Sequence, residues 1–171
     1  MKNFIPLRKK VHIFHAQLGK IMCIYPQDHQ AHLLATGSII LCDVQPRGSW
    51  YTFEYLEIIR STHSIHVDQL VFIHQLMKIC LLMIPQEVVV SDVFEYLLDL
   101  YRQEFNLTQI GRQKALLRMF ILCDVIPTSP EAYRLAMLEL DQECMIDESV
   151  LDRYVTQGWH EVLKKQSELV A

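Results

Sequence analysis

Glycine and proline are scarce in this sequence, five and six residues of 171, and no low-complexity tract or internal repeat occurs. That scarcity excludes collagen-like and linker-like chains and predicts short connections between regular elements. Long apolar runs are missing as well. The longest, Ile79 to Ile84, falls far short of the ~20 residues a helix needs to cross a bilayer, so no membrane span is expected. The five widely spaced cysteines, Cys23, Cys42, Cys80, Cys123 and Cys144, are odd in number and do not suggest a disulfide framework. Met1 to Lys10 is too polar and too short for a signal peptide, and the cytoplasm is the expected compartment.

Signatures of catalysis are absent too. The chain contains no G-x-S-x-G, no P-loop, no G-x-G-x-x-G, no H-E-x-x-H and no C-x-x-C, hence no nucleophile elbow, phosphate cradle, zincin helix or paired thiol. Asp99 with Glu104, or Glu139 with Glu143, could pair carboxylates, but acids on helices are usually solvating charges. No catalytic residue and no cofactor is nominated, and the chain is expected to bind rather than to catalyse. A small hydrolase using the scattered His and Cys is the enzymatic alternative. Positive charge is not in excess: a net charge of -4 rules out a surface that traps nucleic acid everywhere. Local basic clusters remain, at Arg8, Lys9 and Lys10 with Lys20, and at Arg112, Lys114 and Arg118, whereas Glu139 to Asp152 is acid-rich.

What the chain does have is apolar residues, 51% of the total, enough to pack one ordinary domain or two small ones. From Val11 to Ile59 the pattern is that of strands and turns. Val11–Phe14 and Ile21–Tyr25 are β-prone runs around a turn at Gly19-Lys20, and Pro26-Gln27-Asp28 closes the second. Ser38–Val44 and Trp50–Ile59 form a long predicted hairpin about Gln45-Pro46-Arg47-Gly48-Ser49. Period-2 alternation assigns Tyr51, Phe53 and Tyr55 to one face and Trp50, Thr52, Glu54, Leu56 and Ile58 to the other.

Beyond Ile59 the period becomes helical. Ser64 can cap a first helix with the stripe Leu70, Ile73, Met77, Cys80, Leu81 and Ile84, stopped by Pro85. Ser91-Asp92 opens a second with the stripe Phe94, Leu97, Leu98, Tyr101 and Phe105. A third runs from Asn106–Thr108 to about Val125, ahead of Pro127. A fourth starts either as a Thr128/Glu131 capping box or with Ser129 as cap and Pro130 in the first position. A fifth begins at Ser149, and Gly158, costing about 1 kcal/mol against Ala, is expected to bend or shorten it.

The order of these pieces resembles a known family. Val11–Tyr25 (VHIFHAQLGKIMCIY), His32–Asp43 (HLLATGSIILCD), Tyr51–Ser61 (YTFEYLEIIRS) entering an apolar helix, and Leu117–Pro127 (LRMFILCDVIP) are together similar to the bacterial DNA repair protein RecO family over roughly residues 8 to 130. The resemblance implies an α+β chain: a small, OB-like N-terminal β-barrel, complete or incomplete, at 1–62, packed on a helical domain of about five helices at 63–171. Three departures stand beside it. Only Met1–Lys10 precede Val11, so the first strand is expected to be shortened; Pro26–Gln30 replaces a basic, glycine-containing loop; and Cys144 alone stands where many members carry four zinc-binding cysteines.

The resemblance implies a recombination mediator that binds and anneals single- and double-stranded DNA, contacts RecR and the C-terminal tail of single-stranded DNA-binding protein, and helps load the recombinase. Base stacking on an OB-like sheet needs exposed rings with flanking cations. Tyr51, Phe53 and Tyr55 with Arg8, Lys9, Lys10, Lys20 and Arg47 are the candidates; alternatively the rings fill the barrel and the cations are ordinary surface. Lys114 and Arg118, four apart, with Arg112, Leu116 and Met119, are the candidate groove for an acidic, aromatic-ended tail, or else one solvated helix face. An adaptor keeping only protein contacts is the other reading. The pairs His12/His15, His29/His32 and His63/His66 are each three apart, but in strands or loops that spacing does not converge on a metal, and none is expected.

Overall fold

The computed structural model describes residues 10–24, 34–62, 65–127, 129–138 and 147–170. Expectations for Arg8, Lys9, the Pro26–Gln30 loop, His29, His32, His63, Ser64, Thr128, Glu139, Glu143 and Cys144 lie outside these residues. The chain forms two compact units, Met1–His66 with Gln86–Val89 and Val67–Pro85 with Val90–Ala171.

The first unit is a four-stranded mixed sheet made of β1 (Lys10–His15), β2 (Gly19–Ile24), β3 (Ile39–Arg47) and β4 (Trp50–Arg60), in the order β1-β2-β4-β3. β1–β2 and β3–β4 are antiparallel hairpins; β2 and β4 run parallel, through Cys23 opposite Tyr51 and Ile24 opposite Thr52. Among the described residues β1 and β3 do not pair with each other, so the sheet is open and the closure of a barrel is not seen.

The expected β3–β4 hairpin forms, but its turn is confined to Gly48-Ser49, with Gly48 at φ 67°, and Gln45, Pro46 and Arg47 extend β3 in register with β4. In the β1–β2 hairpin the turn lies one step earlier than expected, at Ala16–Leu18. There His15 Nδ1 accepts hydrogen bonds from the backbone N–H groups of Gln17 (3.1 Å) and Leu18 (3.2 Å). Gly19 then opens β2 at φ 70°, and a Cβ there would lie 2.0 Å from the Val88 carbonyl oxygen. Only glycine permits this approach, by which Gln86 bridges to Lys20 and the Glu87 N–H donates to the Lys20 carbonyl at 2.9 Å.

The second unit holds α1 (Val67–Met83), α2 (Ser91–Arg102), α3 (Gln109–Leu122), α4 (Pro130–Met137) and α5 (Glu148–Val170). Their starts follow local chemistry. Thr108 caps α3 by accepting from the Gly111 N–H, and Ser129 caps α4 by accepting from Ala132 N–H, with Pro130 in the first turn. The ends do not follow glycine, which is scarce. After α2, Phe105 N–H bonds Leu100 O and Glu104 N–H bonds Tyr101 O; after α3, Val125 N–H bonds Phe120 O and Asp124 N–H bonds Ile121 O. These are Schellman closures with Glu104 (φ 56°) and Asp124 (φ 52°) in the left-handed position that glycine usually fills.

Two stripes sit differently from expectation. On α1 the buried residues are Phe72, Ile73, Leu76, Ile79 and Cys80, and Leu81 is exposed. That helix is apolar over so much of its circumference that sequence could not fix its phase. On α2 they are Val93, Tyr96, Leu97, Leu100 and Tyr101. Phe105 lies beyond the helix at φ 53°, buried edge-to-face on Tyr101 with centroids 4.6 Å apart. α3 packs against α1, α2, α4 and α5 and is buried almost all round. Gly158 does not end α5, which runs through it to Val170: a Cβ there would fall 2.3 Å from the Phe120 ring, and that ring also meets Trp159 edge-to-face at 5.5 Å.

Candidate nucleic-acid interface

The register of the sheet decides which side chains share a face. Between Asp43 and Val44 the pairing slips by one: Tyr55 stands opposite Asp43 and Phe53 opposite Val44, leaving Glu54 as the extra residue of a β-bulge. Neighbouring residues of β3 point to opposite faces, so Phe53 and Tyr55 are separated. Tyr51 and Phe53 share the inner face with Ile21, Cys23, Cys42, Val44 and Leu56; Tyr55 lies on the outer face with Asp43, Leu41 and Glu57. The single aromatic face of Tyr51, Phe53 and Tyr55 expected from alternation does not form, because alternation fails at a bulge.

The outer face carries a different combination. Lys10 is exposed at the start of β1, and its Nζ lies 5.7 Å from the centroid of Trp50. Trp50 stands opposite the exposed Arg47 across the hairpin. A ring flanked by two cations is the element that base stacking with phosphate neutralisation requires. Sequence reasoning missed Trp50 as a site residue; the available signal was its position across the turn from Arg47. His12 lies on the same face, and its pKa is lowered from 6.5 by burial first and by Lys20 second. Lys20 itself is buried, which takes it off an exposed phosphate track.

The tyrosine hydroxyls are engaged by acids. Tyr51 donates to Glu87 Oε1 at 3.3 Å and Tyr55 to Glu57 Oε2 at 2.6 Å. Both phenols are held above their ordinary pKa, Tyr51 by desolvation and then by Glu87, Tyr55 chiefly by the hydrogen bond to Glu57.

The groove expected on the third helix is not open. Lys114 is 0% exposed, Met119 0% and Leu116 5%, so these three cannot line a surface site as expected; α3 is the central helix, and its faces are consumed by neighbours. Arg112 and Arg118 remain partly accessible. Arg118 lays its guanidinium 4.5 Å from the Tyr96 ring centroid, and Arg112 Nη1 donates to the Asp68 carbonyl at 3.4 Å. The Nε of each is buried without a hydrogen-bond partner.

Burial, then Cys42, pushes the Cys23 thiol up to about 12, and burial, then Asp124, does the same for Cys123, so both are protonated near neutral pH and poor nucleophiles. His12 and His15 point to opposite faces of β1. Among the described residues no three His, Cys, Asp or Glu side chains converge on a point a metal could occupy, and no helix is long and apolar enough to cross a membrane. No family model, curated protein or solved structure matches the chain.

Proposed function

We propose that this chain is a RecO-like DNA-binding mediator whose outer sheet face engages a single strand. In this reading the four strands are the curved part of an OB-like module, Trp50 is the stacking platform, and Lys10 and Arg47 neutralise phosphates on either side. Tyr55 offers a second ring farther along β4. Single- and double-stranded DNA, single-stranded DNA-binding protein and RecR are the proposed partners, the last two approaching the helical unit, where Arg112 and Arg118 are the accessible cations. The work is binding energy and charge neutralisation, with no covalent step. The observation that carries the reading is the half-buried Trp50 ring set between the exposed Lys10 and Arg47 on one face of an open sheet.

The test is fluorescence anisotropy with labelled single-stranded and duplex oligonucleotides at two salt concentrations. Lys10→Glu with Arg47→Glu should weaken single-strand binding and flatten its salt dependence, by about 0.7 in log–log slope for each phosphate that is no longer neutralised. Trp50→Ala should weaken binding by about 1–3 kcal/mol without changing that slope. Unaltered affinity in both variants would sink the proposal.

One observation favours a second reading, an adaptor that keeps protein contacts and has lost DNA binding. The carboxylates of Glu57 and Glu87 sit on the hydroxyls of Tyr55 and Tyr51 and repel a phosphate backbone there. An acidic, aromatic-ended peptide titrated beside the oligonucleotides separates the two, since the adaptor binds the peptide alone.

A further inference from the structure

One titratable side chain on the outer face has no part in stacking or in the fixed charge, namely His12. It follows Lys10 on β1 by two residues, about 7 Å at ~3.3 Å per residue, and alternation gives both the same face. The register sets His12 opposite Met22 and Trp50 opposite Arg47. Between them, the parallel pairing of Cys23 with Tyr51, continued by one residue, sets Met22 beside Trp50. One row across the sheet therefore reads His12, Met22, Trp50, Arg47, and its two ends are exposed. The next row begins with Lys10, whose Nζ lies 5.7 Å from the Trp50 centroid. The ring is flanked by Arg47 on one side and, on the other, by the strand that carries both Lys10 and His12.

The charge around His12 is of one sign. Among the described residues, Lys10 shares its strand, Lys20 stands diagonally across on β2 opposite Phe14, and Arg47 ends its row. The described carboxylates of the sheet unit lie elsewhere. Asp43 and Glu57 stand farther along β3 and β4, Glu54 sits at the bulge, and Glu87 accepts from the hydroxyl of Tyr51, a residue of the inner face. Partial burial and then Lys20 hold the His12 pKa below 6.5, so its ring is largely uncharged at neutral pH. A polyanion laid over Trp50 brings the counter-charge that an imidazolium there needs.

We propose, given the nucleic-acid reading of this face, that His12 is its third and proton-dependent cation: as imidazolium it meets a phosphate of the strand stacked on Trp50, so that acid tightens the binding of a single strand. Lys10 and Arg47 supply the constant part of the affinity, and His12 adds a part that pH sets. The coupling is reciprocal, because a proton that favours the strand is itself favoured by the strand.

Fluorescence anisotropy of the whole chain with a labelled single-stranded oligonucleotide, at about pH 7.5 and about pH 5.5, brackets the ordinary histidine range; circular dichroism verifies the fold at both. Other histidines gain protons over the same interval, so His12→Ala supplies the background. Near pH 5.5 wild type should bind about threefold more tightly than His12→Ala, as one exposed ion pair implies, with a salt slope steeper by up to about 0.7. That difference should shrink near pH 7.5. His12→Lys should carry the acid-level advantage up to pH 7.5. On the wild-type chain alone, an NMR titration of the His12 ring should give a pKa raised by at least about 0.5 under saturating oligonucleotide, which is the threefold effect read from the proton's side. Equal acid tightening in wild type and His12→Ala, or a His12 pKa that does not rise on binding, overturns the proposal and leaves the nucleic-acid reading standing. A wild-type chain that binds no oligonucleotide at either pH removes both.

Discussion

The two units use the same pair of chemical groups, a cation over an aromatic ring, to opposite ends. In the helical unit Arg118 covers Tyr96, whose phenol is raised by burial, and the pair belongs to packing. In the sheet unit Lys10 covers Trp50 from an exposed position, and the pair faces outward. The distribution of the core follows the same line. The helical unit supplies nearly all fully buried apolar side chains, among them Phe72, Phe105, Phe120, Leu117 and Leu151, whereas the sheet contributes Ile21 and Cys23. A cation near a ring thus stays accessible on an edge strand, where Lys10 is exposed, and is drawn into packing beside a central helix.

Substitutions put this division between the units to the test. The largest effect is expected for Phe120→Ala, which empties the space between Gly158 and Trp159 and should cost about 3–5 kcal/mol in urea unfolding; a loss below about 1 kcal/mol would mean that α3 is not the centre of stability. Gly19→Ala should cost about 1–3 kcal/mol, since it combines a left-handed φ with a clash on the Val88 backbone. With Trp159 replaced by Phe, Trp50 fluorescence reports that destabilisation from the sheet alone, and an unchanged Trp50 transition would contradict the tight docking of Gln86–Val89. Asp124→Gly should stabilise by about 0.5 kcal/mol, by relieving the left-handed conformation and removing a negative charge from a helix C-terminus; a lower thermal midpoint would show that Asp124 has another role. The smallest effect is a pH dependence. Ser149 Oγ and N–H donate to Asp147 at 2.6 and 3.0 Å, holding its carboxyl below the ordinary 3.8. A depressed folded pKa contributes stability above the unfolded value that is lost as pH falls through the folded one. Asp147→Asn should therefore be slightly less stable than wild type at neutral pH, converge with it at low pH, and so flatten the fall of a stability profile below about pH 5.

Much of the fold was legible because its causes are local. A hairpin turning at Gly48, helix starts at Thr108 and Ser129, and five helical segments follow from turn dihedrals, caps and periodicity over a few residues. The helix ends were less legible: with glycine scarce, Glu104 and Asp124 took the left-handed position, and neither residue type signals that on its own. The candidate site was half legible. Lys10 and Arg47 were nominated and are exposed on the outer face; Tyr51 and Phe53 were nominated and lie on the inner one, and Trp50 was passed over.

Amino-acid order alone specified an α+β chain with a β-hairpin entering helices, since residues close in sequence set dihedrals, caps and period. Long-range packing was needed to settle the β1-β2-β4-β3 order with its parallel pair, the bulge that sends Tyr55 to the outer face, and the burial of Lys114, Leu116 and Met119. Those outcomes depend on which distant segment lies alongside, and a slip of one residue in that pairing exchanges the two faces of a strand.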